Sequence, residues 1–478
     1  MEILQTIVGN LNEFLWTYVL IILLIGAGLY FTIRARFVQF RLFPEMVRLL
    51  GEGATASRDK KGVSSFQAFC ISTASRVGTG NLAGVAIAIS LGGPGAVFWM
   101  WLIALIGAGS SFVESTLAQI YKVKDGDTFR GGPAYYMEKA LGQRWMGILF
   151  SILITLCFGL VFNSVQSNTI TLAFHNAYGW DRGITGIVLA LAFAVIIFGG
   201  IKRIARAAEM IVPVMAVGYI LVALYVMTKN FAAIPGVFNL IFTEAFGTKA
   251  LVGGGLGAAV MQGIKRGLFS NEAGMGSAPN AAATADVTHP AKQGLIQTLG
   301  VFTDTLLICS CTAFMILLSG QYTGSDDGIQ LTQAALSFHV GDWATSFVAV
   351  AILLFAFSSL IGNYYYGETN IEFINNRSKG AIFIYRLAVV GMVLFGAVAK
   401  IQLVWDLADL FMALMAIVNM AAILLLGRIA FAALKDYIDQ KREGKNPVFS
   451  ASSIPGLKNV ECWGDDNESV REARRANG

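Results

Sequence analysis

Arg76-Val77-Gly78-Thr79-Gly80-Asn81-Leu82-Ala83-Gly84 lies inside a stretch, 64–90, that otherwise has the composition of a membrane helix. Three glycines with Thr79 and Asn81 weaken helix propensity at the centre, where a plain spanning helix is rich in leucine and valine. Half a chain later a second apolar stretch is interrupted in the same way, by Gly267-Leu268-Phe269-Ser270-Asn271-Glu272-Ala273-Gly274-Met275-Gly276-Ser277. Non-helical backbone at membrane depth leaves N–H and C=O groups unpaired, which is tolerable only where protein or a bound polar solute meets them. Two such breaks in corresponding halves of an apolar chain point to the binding site of a secondary transporter.

The rest of the sequence sets the frame. Over 478 residues, 55% are hydrophobic, 14% are charged and the mean hydropathy is +0.63. Soluble chains carry about 25% charged residues, so this is an integral membrane protein. Met1–Leu15 holds no Lys or Arg and no small-residue cleavage site, and the first span near 14–33 reads as a retained helix. Of the five cysteines, Cys70, Cys157, Cys309 and Cys311 fall in apolar spans and Cys462 in the tail. Cys309-Ser310-Cys311 lacks the partners of a zinc site. His175, His289 and His339 are far apart and read as loop residues, so no metal centre is expected.

Apolar stretches long enough to span a bilayer fall near 14–33, 92–121, 145–173, 183–200, 207–228, 294–319, 343–370, 381–399 and 403–427. Positive charge decides the broken segments. Arg34, Arg36, Arg41, Arg48, Arg58, Lys60 and Lys61 place 34–63 in the cytoplasm. Lys122, Lys124, Arg130, Lys139 and Arg144 do the same for 122–144, so 64–90 and 92–121 both cross. The connections 201–206 (Lys202, Arg203, Arg206) and 373–386 (Arg377, Lys379, Arg386) and the tail from Arg428 are also basic, whereas 320–342 carries Asp326, Asp327 and Asp342 and reads as external. Counting 252–282 as a span satisfies every connection: eleven spans, N-terminus outside, C-terminus inside. With the first helix and its basic segment (1–63) set aside, 64–228 and 252–427 are two five-helix blocks. They are joined by an external connection, 229–251, each opens with its broken member, and they enter from opposite sides, the pattern of inverted repeats. The tail 428–478 is expected to form a short cytoplasmic helix and a disordered end.

A broken membrane helix offers free N–H groups and a positive dipole end to a carboxylate, and free carbonyls to Na⁺. The N–H groups of Thr79 and Gly80 are the expected carboxylate donors, with the Asn81 amide in reach. Ala74 and Val77 are the expected carbonyl ligands. The alternative, a helix-packing surface built on Gly80 and Gly84, loses weight beside the second break. No nucleotide motif is present, and nothing suggests a nucleic-acid or obligate protein partner. In the second break Ser270, Asn271 and Glu272 put two neutral polar groups and one carboxylate at membrane depth. Glu272 can bind an ion, carry a proton or pair with Arg76. Gln166 can bond both ends of a small zwitterion, and Asn163 and Asn168 interrupt the same span. Ser358 and Ser359 are adjacent hydroxyls suited to Na⁺, although a serine in a membrane helix more often bonds the preceding turn. Asp304 lies three turns into its span and has an open role. Glu114, Asp406 and Asp409 are expected at the interface, Lys265 and Arg266 along a vestibule, and Phe162 and Phe269 as apolar walls.

The runs Arg76–Gly84, Gly92-Gly93-Pro94-Gly95-Ala96-Val97-Phe98-Trp99-Met100-Trp101, Gly131-Gly132-Pro133-Ala134-Tyr135-Tyr136 and Phe269-Ser270-Asn271-Glu272-Ala273-Gly274-Met275-Gly276-Ser277-Ala278-Pro279 resemble the alanine or glycine:cation symporter family over nearly the whole chain, tail excepted. The resemblance implies an all-α membrane fold like the bacterial leucine transporter, with two inverted repeats of five helices and one extra N-terminal helix. It also implies Na⁺-coupled uptake of alanine and often glycine across the plasma membrane (the inner membrane of a Gram-negative cell), with no organic cofactor. Substrate is then held by the first break, the Gln166 region and Phe269–Asn271. Ala74, Val77, Ser358 and Ser359 match the Na⁺ site, and Asn81 matches the place of a second Na⁺ ligand. Some relatives are associated with glutamine. The rivals are a proton-coupled carrier using Glu272 or Asp304, and a channel, which needs a continuous polar stripe in place of clustered breaks. An intramembrane enzyme lacks H-E-x-x-H and any base beside its serines.

Overall fold

The computed structural model describes residues 2–55, 63–246, 255–324, 328–375 and 378–464. Arg58, Lys60, Lys61, Asp326, Asp327 and Arg377, used above to orient the chain, lie outside the described residues, as does everything after 464. Among the described residues the regular structure is helical apart from one hairpin. In chain order the elements are α1 (Thr6–Arg34), α2 (Phe43–Thr55), α3 (Ser65–Arg76), α4 (Gly80–Gly92), α5 (Ala96–Ile120), β1 (Val123–Asp125), β2 (Thr128–Arg130), α6 (Pro133–Lys139), α7 (Arg144–Tyr178), α8 (Arg182–Ile197) and α9 (Gly200–Lys229). The second half holds α10 (Ile234–Phe246), α11 (Gly255–Asn271), α12 (Ala278–Ala282), α13 (Pro290–Ser319), α14 (Gly328–Val340), α15 (Trp343–Ile374), α16 (Lys379–Val398) and α17 (Ile401–Arg442).

Among the described residues eight helices are long and apolar enough to cross a membrane; α4, α8 and a helix at Phe231–Phe246 are shorter apolar ones. Both interrupted stretches are broken. The first begins with a capping box in which Ser64 Oγ accepts from Gln67 N–H and Gln67 Oε1 accepts from Ser64 N–H, each at 3.1 Å. It stops at Arg76, because Val77 leaves helical geometry at ψ +89°. The second stops at Asn271, and Glu272, Gly274 and Gly276 all take positive φ (+58°, +86° and +83°) before the five-residue α12. Such angles suit glycine and are strained for Glu272. A parallel bridge from Val63 to Ala285, with Asp286 N–H donating to Val63 C=O at 3.0 Å, ties the start of the first broken pair to the end of the second. Helix α5 packs along α11, α12 and α13, and this brings the two breaks to a common centre.

Three features correct the sequence reading. Helix α17 is continuous to Arg442, and the following segment is folded onto the protein as far as 464: Phe449 N–H donates to Thr288 C=O and Trp463 Nε1 to Gln119 C=O, both at 2.8 Å. The connection 320–342 contains a helix, α14, whose Thr332 hydroxyl bonds Leu82 C=O at 3.0 Å beside the first break. Two of the three histidines are helical, and the third ends a loop. His175 and His339 lie in the last turns of α7 and α14, and His289 caps α13. Desolvation lowers the pKa of the buried His289, while Asp436 at 3.1 Å opposes the shift. No cluster of potential metal ligands occurs among the described residues.

Three segments that carry site residues are wound as π-helix: Gly80–Gly84 with Asn81, Thr155–Phe162 with Phe162, and Phe302–Cys309 with Asp304. A π turn adds a residue per turn and redirects the side chains that follow, and such turns gather at functional sites.

Candidate functional site: two broken helices at the centre

At the first break the exposed N–H groups are met by neutral side-chain oxygens. Gly78 N–H donates to Asn81 Oδ1 at 2.8 Å, and Thr79 N–H donates to Gln166 Oε1, reaching over from α7, at 3.0 Å. One of the two expected carboxylate donors is therefore occupied by Gln166. Thr79 Oγ1 is buried without a hydrogen-bond partner, so a polar solute here would find an unused hydroxyl. The quarters are close. A Cβ on Gly78 would stand 2.1 Å from Ser359 Oγ and 3.0 Å from Gln166 Oε1, and one on Gly80 would stand 3.0 Å from the Phe269 ring. Only glycine lets α15, α7 and α11 approach the broken backbone this nearly.

On the carbonyl side, Ser359 Oγ donates to Ala74 C=O at 2.9 Å and Ser358 Oγ at 3.4 Å. Both hydroxyls also bond Phe355 C=O, one turn back, at 3.1 and 2.8 Å. The local and the long-range readings of the two serines thus hold together: their own helix orients them, and their oxygens meet the end of α3. The serines reach Ala74 and not Val77. All are buried. A set of neutral oxygens with no carboxylate suits a hard monovalent cation better than a divalent one.

The two breaks meet at Asp304. Asn81 Nδ2 donates to its Oδ1 at 2.7 Å, and Ser270 Oγ and Thr305 Oγ1 donate to its Oδ2 at 2.8 Å. Cys309 Sγ lies 3.3 Å from Asn81 Nδ2 and 3.2 Å from Ser270 Oγ. Beside this network the aromatic side chains close up. Ring centroids of Phe162 and Phe269 are 4.5 Å apart, and those of Phe269 and Trp405 4.7 Å. Asn271 turns back on its own strand, its Oδ1 accepting from Ala273 N–H at 3.0 Å, while its buried Nδ2 has no partner.

Of the three readings of Glu272, pairing with Arg76 is not the contact made at the second tie. Glu272 accepts instead from Ser75 Oγ at 2.7 Å and Ser277 Oγ at 2.6 Å, and Ser75 also bonds Asn363 Oδ1 at 2.7 Å. Arg76 points away, donating to Gln297 C=O at 3.1 Å and Ser111 Oγ at 3.4 Å. Its guanidinium fits because residue 300 is glycine, where a Cβ would stand 2.3 Å from Nη1. Neighbouring helix residues project about 100° apart, so Ser75 faces the second break and Arg76 faces α13. The other polar residues of α7 have structural work: Asn168 Nδ2 bonds Gly396 and Ala399 C=O at 2.8 Å, and Asn163 Nδ2 bonds Gly159 C=O at 3.0 Å.

Two carboxylates expected at the interface are inside. Asp409 is 3% exposed and pairs with Arg266 at 2.5 Å and Lys265 at 3.2 Å, so these bases form a buried ion cluster and do not line a vestibule. Arg266 also stacks 4.5 Å over the Trp405 ring. Glu114 is 0% exposed and receives the amides of Gly274 and Gly276. Its surroundings, the small polar run Ser110-Ser111…Ser115-Thr116, were the available sign that this face of α5 is buried.

Two interrupted helices facing one another inside a helical membrane bundle, joined by buried polar side chains, define a multi-pass carrier of the leucine-transporter fold. MhsT, crystallised with L-phenylalanine, superposes with a TM-score of 0.55 over 87% of this chain and 94% of its own at 14% identity, a likeness of fold alone. The chain belongs to the sodium:alanine symporter family, whose profile matches residues 1–451. It is 63% identical to the probable sodium/glutamine symporter GlnT of Bacillus subtilis (97% of this chain, 96% of that one). It is 59% identical to the amino-acid carrier protein AlsT of the same organism (96% and 97%).

Proposed function

We propose that the protein imports small neutral amino acids, alanine and glycine foremost, together with Na⁺ across the plasma membrane by alternating access. The supporting observation is the placeholder at the first break. Gln166 holds the Thr79 N–H that a substrate carboxylate would hold more strongly, since hydrogen bonds to a charged acceptor are roughly twice as strong. Thr79 and Gly80 then bind the carboxylate. Gln166, released, turns to the zwitterion, with Asn81, Ser270 and Asn271 completing the polar wall. Phe162 and Phe269 limit side-chain size. Na⁺ is a co-transported substrate seated between Ala74, Val77, Ser358 and Ser359, where it joins α3 to α15. Arg76 and Glu272 each brace one break. The chain crosses eleven times with its N-terminus outside, and the repeats 64–228 and 252–427 rock against each other. A ligand shifts that equilibrium only by its differential affinity for the two states. An inside-negative potential adds roughly 2.3 kcal/mol per charge per 100 mV to Na⁺ entry.

Two second readings each rest on an observation. Identity to GlnT favours glutamine as cargo. Asp304, contacted from both breaks, favours a coupling carboxylate that takes a proton or a second cation. Uptake into proteoliposomes decides among them. We expect saturable alanine uptake driven by external Na⁺, inhibited by glycine more than by glutamine, and insensitive to a pH gradient alone. Ser359→Ala should raise the half-saturating Na⁺ about tenfold, the loss of roughly one hydrogen-bonding ligand to a charge. Uptake driven by pH without Na⁺, or an unchanged Na⁺ dependence in the variant, overturns the assignment. Stronger competition by glutamine moves the substrate to the second reading.

A further inference from the structure

The second break is built like an anion site and already contains an anion. Gly274 N–H donates to Glu114 Oε1 and Gly276 N–H to Oε2, each at 3.0 Å. Asn419 Nδ2, from α17, donates to Oε2 at 2.8 Å and also to Gly274 C=O at 2.8 Å, and Asn419 Oδ1 accepts from Tyr136 OH on α6. Two backbone amides two residues apart, both of glycines in left-handed geometry, converge on the two oxygens of one carboxylate, as they do where proteins cradle free anions. The carboxylate comes from α5, a different helix, through a side chain that is fully buried.

We propose that Glu114 is a resident anion of the second break: it occupies a latent site for a small carboxylate and holds 272–277 in the unwound form. The unwound form needs it. Without a bound acceptor, the amides of Gly274 and Gly276 are buried donors left without a partner. The contacts also span separate elements. Glu114 on α5 and Asn419 on α17 bond each other and both bond the broken segment, so the geometry of the second break is tied to how these two helices stand. Glu114 is a positioning residue; no substrate atom need touch it. The inference goes beyond the transport reading and does not depend on which amino acid is carried.

A probe small enough to replace the lost group is formate. Purified Glu114→Ala protein is unfolded by heat in sodium formate and, at equal ionic strength, in sodium gluconate, whose anion is too large for the site. The expected result is a midpoint several degrees below wild type in gluconate, recovered by at least half in formate along a saturating curve, while wild type is equally stable in both salts. A wild-type midpoint in gluconate, or a lowered one that formate moves no more than it moves wild type, overturns the proposal. If Glu114→Ala does not yield folded protein, the isosteric Glu114→Gln decides. Glutamine can accept from one glycine amide but presents N–H to the other. The maximal rate for whichever amino acid wild type carries should fall about tenfold with half-saturating concentrations unchanged, and wild-type kinetics contradict the proposal.

Discussion

The two breaks use the same backbone device in opposite ways. In the first, N–H groups of Gly78 and Thr79 are answered by the neutral amide oxygens of Asn81 and Gln166. In the second, those of Gly274 and Gly276 are answered by the carboxylate of Glu114. A neutral partner can be displaced by an incoming carboxylate; a buried charged one, already bonded by three donors, cannot be displaced at comparable strength. In the proposed reading, the difference separates a break that binds a ligand from one that is a fixed joint. Asp304 lies between them, bonded by Asn81 from one and Ser270 from the other.

This contrast can be broken from either side. The largest effect is expected from glycine substitutions, and it should differ in kind. Gly276→Ala places a Cβ at φ +83° and within 2.7–2.8 Å of Pro133, Asn419 and Phe150. Left-handed strain of roughly 1–2 kcal/mol and overpacking of roughly 1–3 kcal/mol should appear as lost thermal stability. Gly78→Ala has ordinary backbone geometry, and its Cβ displaces the end of Ser359. There the loss of stability should be the smaller one, from overpacking without backbone strain, while uptake falls about a hundredfold. Equal loss of stability in both variants would remove the distinction. A smaller effect is expected from Gln166→Ala, which deletes a placeholder and a substrate contact together: half-saturating alanine should rise about tenfold with folding intact. Unaltered affinity would mean that Gln166 belongs to the scaffold, like Asn168.

The breaks themselves were legible, because Gly, Thr and Asn in an apolar run contradict a spanning helix without any knowledge of packing. The same holds for Ser358 and Ser359, whose adjacency in an apolar run marks them, and for Gln166. Glu114 was misread because a carboxylate near a span end has the same sequence signature whether it reaches the interface or turns inward. Only the contacts with 274 and 276, 160 and 162 residues away, tell the two apart. The Arg76–Glu272 pairing failed on helical phase: opposite charges attract in a sequence reading, but Ser75 is the residue that faces Glu272. The π-wound turns at Asn81, Phe162 and Asp304 leave no sequence mark, since they arise from how neighbouring helices pack and not from composition. The burial of Asp409 was hidden in the same way, its partners Lys265 and Arg266 lying on another helix.

The most direct measurement is equilibrium binding of alanine, in Na⁺, to purified Gln166→Glu protein. The substitution sets a permanent carboxylate against Thr79 N–H and makes the first break a copy of the second. The account predicts a folded protein that no longer binds alanine. Wild-type affinity in that variant would show that the substrate's carboxylate never replaces Gln166 at the broken helix, and the central claim would be wrong.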